Sequence, residues 1–180
     1  MPRKDQRPKG KKVSDSQTIM TEMIMPNDTN PLNNLMGGNL MRWMDVAAGI
    51  CAGKHCESYV VTASVDSVSF QQPIRMGDVI TIKSTVTRAF NTSIEVYVEV
   101  FAADMKGGNP RRCNDAFLTF VAIDDKSNKP KKVPPVIALT KEEQQLYDGA
   151  LKRREFRLVL SGRLKPEEAG EIRSLFHPTN

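Results

Sequence analysis

The hydrophobic pattern is sharpest in two stretches. Leu40, Trp43, Met44, Ala47, Ala48 and Cys51 recur at spacings of three and four, which is one stripe of an amphipathic helix. The stripe predicts a helix from Asn39 to about Cys56, with Gly38 or Asn39 as N-cap. Lys54 and His55 fall where a helix C-terminus favours positive charge. Further on, the period drops to two. Ile94, Val96, Val98 and Val100 face one way, and Glu95, Tyr97 and Glu99 face the other. Strand-like composition also covers residues 17–25, 59–70, 78–90 and 112–123. The last of these is apolar on both faces, with Phe117, Val121 and Ile123 on one side and Ala116, Leu118 and Phe120 on the other. Such a strand needs two covers: the helix and a second body, for which another subunit is a candidate.

The punctuation agrees with this order. Gln72-Pro73 to Asp78 and Lys106 to Pro110 are turns, and residues 124–135 are a loop by composition. Thr140 with Glu143 is a capping-box pair that opens a polar helix, and Pro166 opens a last short helix to about Phe176. One long helix followed by four long, mostly antiparallel strands cannot form a doubly wound sheet, which needs alternating crossovers. The compact solution is an α+β, hot-dog arrangement: an antiparallel sheet curled around the helix, with the first strand at an edge or in the middle. The expected organisation is a basic, disordered tail over residues 1–16, the sheet-and-helix domain over 17–137, and a helical extension over 138–180.

Composition narrows the function classes. A chain of 180 residues with mean hydropathy −0.40 accommodates one domain with a real core. No apolar run approaches the roughly 18 residues of a membrane span, and no secretory signal is visible. The net charge of +5 is located entirely in residues 1–12, with six basic residues against Asp5, so the remainder is neutral. A neutral domain offers no general field for nucleic acid. Cys51, Cys56 and Cys113 are odd in number and lack zinc-type spacing, which points to reduced thiols and a cytoplasmic setting.

The candidate chemistry lies in residues 26–56, a polar loop (PNDTNPLNNLM) that passes through Gly37-Gly38 into the helix. Asp45 projects about 130° from the centre of the apolar stripe. Its helical neighbours are Met41, Arg42, Ala48 and Gly49, mostly small or apolar, which lets another segment come close. The helix N-terminus at Gly37, Gly38 and Asn39 offers unpaired N–H groups and a positive dipole end to a developing oxyanion. Without a Cβ, Gly38 admits a carbonyl close to the backbone. The bland readings are a surface carboxylate paired with Arg42, and an Asn30 that only shapes a turn. The two histidines, His55 and His177, come without a G-x-S-x-G elbow, which argues against a Ser-His-Asp hydrolase. No carboxylate, His or Cys set has metal spacing.

PNDTN, GG and WMD followed by VAAGICAGKHC, then VSFQQPIRMGDVI, TSIEVYVEV, NDAFLTFVAIDD and VPP, resemble the motifs of the hot-dog acyl-CoA thioesterases and come in the same order. The resemblance covers residues 20–137, and more loosely the helix over 147–158. It implies hydrolysis of acyl-CoA to a free fatty acid and CoA, with Asn30 and Asp45 as the catalytic pair contributed by different subunits. By the same resemblance Gly38 supplies backbone N–H to the carbonyl, and Asp45 acts as general base or nucleophile. Gly37, Arg88 and the turn Asn91-Thr92-Ser93 bind substrate, while Arg111, Arg112 and the cluster from Lys152 to Arg157 are weaker candidates for the CoA phosphates. It further implies a homodimer as the minimal active unit, a trimer of dimers as the assembly, and no cofactor beyond the CoA of the substrate. Three positions depart from the family pattern: Asn33 stands where many relatives have Gly, Met36 where many have Phe, and Asn91 where many have a basic residue, which argues against direct phosphate contact there. The competing class is a hot-dog module that binds acyl-CoA as a sensor without turning it over. A hot-dog dehydratase is disfavoured, because His55 lies too late on the helix.

Overall fold

The computed structural model describes residues 9–176, so His177 and the first eight residues lie outside it. The chain divides into two units, one up to Ile137 and one from Ala138.

In the first unit, helix α1 (Gly37–Cys56) lies against a five-stranded antiparallel sheet. Its strands are β2 (Thr18–Met23), β3 (Tyr59–Phe70), β4 (Val79–Ala89), β5 (Ser93–Ala103) and β6 (Arg111–Ile123), in the order β2-β4-β5-β6-β3. This is the hot-dog arrangement, with the first strand at an edge. Period-two alternation sends Ile80, Ile82 and Val86 of β4, Ile94 to Val100 of β5, and Ala116, Leu118 and Phe120 of β6 to the helix side, where all are buried. The whole stripe from Leu40 to Cys51 meets them and is buried too. On the other face of β6, Phe117, Val121 and Ile123 are only half-buried, although the Phe117 ring stacks on Tyr97 with centroids 4.6 Å apart. The β3 edge is long and open. Tyr59, Val61, Val65 and Phe70 are exposed along it, an unpaired edge of the kind that a partner strand covers.

Two expectations are corrected here. The helix starts two residues early, with Met36 as N-cap and Gly37 and Gly38 as its first two residues. Residues 11–15, expected in a disordered tail, are ordered. Strand β1 (Lys11–Lys12) pairs in parallel with β7 (Val136–Ile137), and a 3-10 turn over Val13–Asp15 buries Val13. This two-residue ladder exists only because β7 returns beside it, so composition alone reads the stretch as tail.

His55 lies in the last turn of α1 as expected, and it is fully buried there. Its Nε2 lies 3.0 Å from the Pro134 carbonyl and its Nδ1 3.5 Å from Ser16 Oγ. Burial pushes its pKa below the usual 6.5, against the Pro134 carbonyl, which favours the cation, and with the help of nearby Lys11, which opposes it. The last turn of α1 is capped by Lys11. Its Nζ donates to the Lys54 carbonyl (2.9 Å) and pairs with Glu57 (2.6 Å). The folded state thus binds a proton at His55 less readily than the unfolded state does. Stability from this residue is fully present above pH 6.5 and is lost as pH falls from there through the lower folded pKa. Urea midpoints should therefore drop between pH 7 and pH 5.5, and His55→Gln should flatten that drop.

In the second unit, α2 (Lys141–Leu160) opens on the expected capping box, with Glu143 N–H donating to Thr140 Oγ1 (3.1 Å) and the Glu143 carboxylate accepting from Thr140 N–H (3.1 Å). The expected last helix is two pieces, a 3-10 turn over Pro166–Glu168 and α3 (Gly170–Phe176). The Glu155 carboxylate accepts from the N–H groups of Glu171 and Ile172, which caps the second piece.

Candidate active site

The loop before α1 is wound around Asn30. Its Oδ1 accepts from the N–H groups of Leu32 (2.9 Å) and Asn34 (3.2 Å), and its own N–H donates to the Asn34 carbonyl (2.8 Å). Asn30 is therefore a turn-former, as its bland reading holds. That leaves its amide NH2, which has no partner among the described residues. Asn33 takes φ +56°, a conformation glycine adopts freely and asparagine tolerates, so either residue suits the backbone at this position. The loop is tied to the helix start, with Met36 N–H donating to the Asp28 carbonyl (2.9 Å). Asn30 and the helix N-terminus thus belong to one rigid assembly.

At that terminus the N–H groups of Gly37 and Gly38 have no partner among the described residues, since the first bonds back to Met36 come from Asn39 and Leu40. A Cβ on Gly38 would meet open space, so the approach to this donor is clear. A Cβ on Gly37 would lie 3.1 Å from the tip of the Phe70 ring. Between these elements is an apolar cavity of about 460 Å³ that Gly37, Leu40, Phe70 and Ile74 help to line.

Asp45 occupies a different place. It is half-buried, and its Oδ1 accepts a hydrogen bond from Thr62 Oγ1 at 2.7 Å. Both line a groove between α1 and β3 with Gly49, Ile50, Tyr59 and Phe120. The register of β3 on β6 slips directly after Thr62, a bulge of the kind that re-aims side chains next to active sites. Thr62 was missed from sequence, because nothing distinguishes it from the other Ser and Thr residues of β3 until the helix lies against the strand. Asn30 lines neither the groove nor the apolar cavity, and no hydrogen bond joins it to Asp45. One chain does not bring the pair together.

Among the expected CoA contacts, Arg88 is half-buried and stands across from Glu95 in the β4–β5 ladder. Asn91 is exposed at the hairpin tip, and the carbonyls of Asn91 and Thr92 accept from the N–H groups of Val133 and Ala122, both at 3.0 Å. Arg111 is turned to Asp78, and Arg112 sits among Tyr97, Glu99 and Asp115. Burial raises the thiols of Cys51 to about 12 and Cys56 to about 11, so both are protonated at neutral pH and poor nucleophiles. No group of three or more His, Cys, Asp or Glu residues placed to hold a metal occurs among the described residues. None of the described helices is long and apolar enough to cross a membrane.

A family model, the thioesterase superfamily, matches residues 32–108. The uncharacterized acyl-CoA thioester hydrolase YkhA of Bacillus subtilis is 39% identical over 146 residues, which cover 81% of this chain and 84% of that protein. The chain belongs to the hot-dog acyl-CoA thioester hydrolases. A crystal structure of an apo-hexameric acyl-CoA thioesterase superposes with a TM-score of 0.82 at 40% identity, covering 85% of this chain and 97% of that one. An acyl-CoA hydrolase from Staphylococcus aureus, solved with butyryl-CoA and CoA, gives 0.78 at 37% identity, covering 85% and 94%. The same hydrolase was characterised as alanine variants of an aspartate, a threonine and an asparagine.

Proposed function

We propose that this chain hydrolyses acyl-CoA thioesters to free acid and CoA, with Asp45 as general base. The observation that carries the reading is the Asp45 carboxylate, anchored through one oxygen by Thr62 and facing an open groove. Asp45 takes a proton from water, whose oxygen attacks the thioester carbon. The carbonyl oxygen becomes an oxyanion facing the unpaired N–H of Gly37 or Gly38. The C–S bond then breaks, and the CoA thiolate leaves with the proton from Asp45. The Asn30 NH2 orients the water or the carbonyl. Thioester and water suffice as reactants, so no cofactor is required.

Helix geometry supports a site shared between chains. Seven residues separate Gly38 from Asp45, a rise of about 10 Å. A base and an oxyanion donor must each lie about 3 Å from the reacting groups, and the rise between Gly38 and Asp45 favours groups from two helices for one carbonyl. Asn30 and Gly38 of one copy facing Asp45 and Thr62 of a second copy resolve this, and the open β3 edge beside the groove offers the surface for that copy. The relatives add weight. In the S. aureus hydrolase the varied asparagine, aspartate and threonine are separated by the same 15- and 17-residue intervals as Asn30, Asp45 and Thr62. The hexameric relative makes a trimer of dimers the assembly of choice. A cytosolic thioester hydrolase of mouse among the relatives fits a cytoplasmic enzyme.

Thiol release from an acyl-CoA series tests the reading. Hydrolysis at rates far above background is expected. Tight acyl-CoA binding without thiol release would make the chain a sensor instead.

A further inference from the structure

The reading above leaves the acyl group unspecified, and the cavity beside Gly37 bears on it. It is lined mainly by apolar groups, among them Leu35, Leu40, Pro73 and Ile74, with Asn34 and Gln71 on its polar side, and Gly37 at the helix N-terminus, where the thioester carbonyl would sit, borders it. An acyl chain held by its carbonyl at that terminus has this cavity as its nearest apolar volume. One aromatic side chain stands in the way. Phe70 ends β3, just beyond a register slip between Asp66 and Ser69 in which Ser67 takes φ +56°. Such a bulge bends its strand, and the end of β3 carries the Phe70 ring onto bare backbone at Gly37. The ring tip lies 3.1 Å from where a Cβ would stand on Gly37, so glycine is the residue that leaves room for it. The ring is 59% exposed in the single chain, so it borders the cavity and is not a member of the core.

We infer that Phe70 is a specificity-determining residue that closes the cavity to long acyl chains and restricts the enzyme to short ones, a reading that rests on the hydrolysis proposed above. With the ring seated on Gly37, the few carbons next to the carbonyl find apolar contact, and a longer chain must displace the ring or stay in water. Each methylene left in water forgoes roughly fourfold in apparent affinity. Removing the ring widens the cavity beside the carbonyl position and lets several more methylenes enter. Truncating a side chain so exposed at a strand end leaves the core intact.

The test measures kcat/KM for butyryl-CoA and lauroyl-CoA with the full chain, by thiol release below the micelle concentration. Wild type should favour butyryl-CoA by at least about tenfold. Phe70→Ala should raise the lauroyl-to-butyryl ratio by at least about tenfold, chiefly through a lower KM for lauroyl-CoA, with Phe70→Leu in between. Preserved oligomer size and circular dichroism show that the variants are folded. Equal use of both substrates by wild type, or an unchanged ratio in Phe70→Ala while both are still hydrolysed, overturns the role of Phe70 and leaves the hydrolase reading standing. Absence of hydrolysis of either substrate by wild type overturns both.

Discussion

Asp45→Ala should lower kcat by about 10²- to 10⁴-fold, the contribution of a positioned general base, while the protein keeps its fold and oligomeric size. The structure gives reasons for both halves of this result. Asp45 projects from the flank of α1, outside the buried stripe, so its loss removes no core contact. Its one hydrogen-bond partner among the described residues is Thr62. Thr62→Val should reproduce a milder form, about tenfold in kcat. That change leaves the carboxylate in place but removes the hydroxyl that fixes its orientation, a neutral-to-charged hydrogen bond worth about 1.5–3 kcal/mol at most. Steady-state thiol release checks both. A fully active, still oligomeric Asp45→Ala protein would remove the assigned base. Direct attack by Asp45 is distinguished by mass: a trapped acyl-enzyme at Asp45 would make it a nucleophile.

Mixing two inactive variants should restore activity. Asn30 belongs to the loop bound to the helix start, whereas Asp45 lies about 10 Å further along the helix in a separate groove. If each site takes Asn30 from one chain and Asp45 from another, Asn30→Ala and Asp45→Ala subunits that are unfolded together and refolded will form hybrids. In a hybrid dimer one site carries both defects and the other carries none. With random pairing about half of the dimers are hybrids, each with one intact site, so about a quarter of wild-type activity should return, against a background lower by two orders of magnitude or more. Should both groups come from the same chain, every site would keep one defect and nothing would return. Few outcomes for this protein separate two readings so widely.

How much of this was legible beforehand differs from element to element. The stripe from Leu40 to Cys51 and the alternation through β5 were readable because helix and strand periods are written locally, and both surfaces are buried as the pattern requires. The capping box at Thr140 was readable for the same reason, since its partners are three residues apart. The helix start was misplaced because the GG pair looks like a turn until the Asp28 carbonyl anchors Met36. The burial of His55 was not legible because it depends on Ser16 and Pro134, which are 39 and 79 residues away.

The candidate site follows the same division. The fold class, the helix that bears Asp45, the Asn30 loop and the 15-residue interval between them were legible along the chain, because each is set by near neighbours. Only the tertiary structure decided that Thr62 holds Asp45, that Phe70 rests on Gly37, and that Asn30 and Asp45 occupy separate places in one chain. Those facts depend on how β3, bulged and left at the sheet edge, lies across α1. A contact between a strand and a helix leaves no periodic trace in either one.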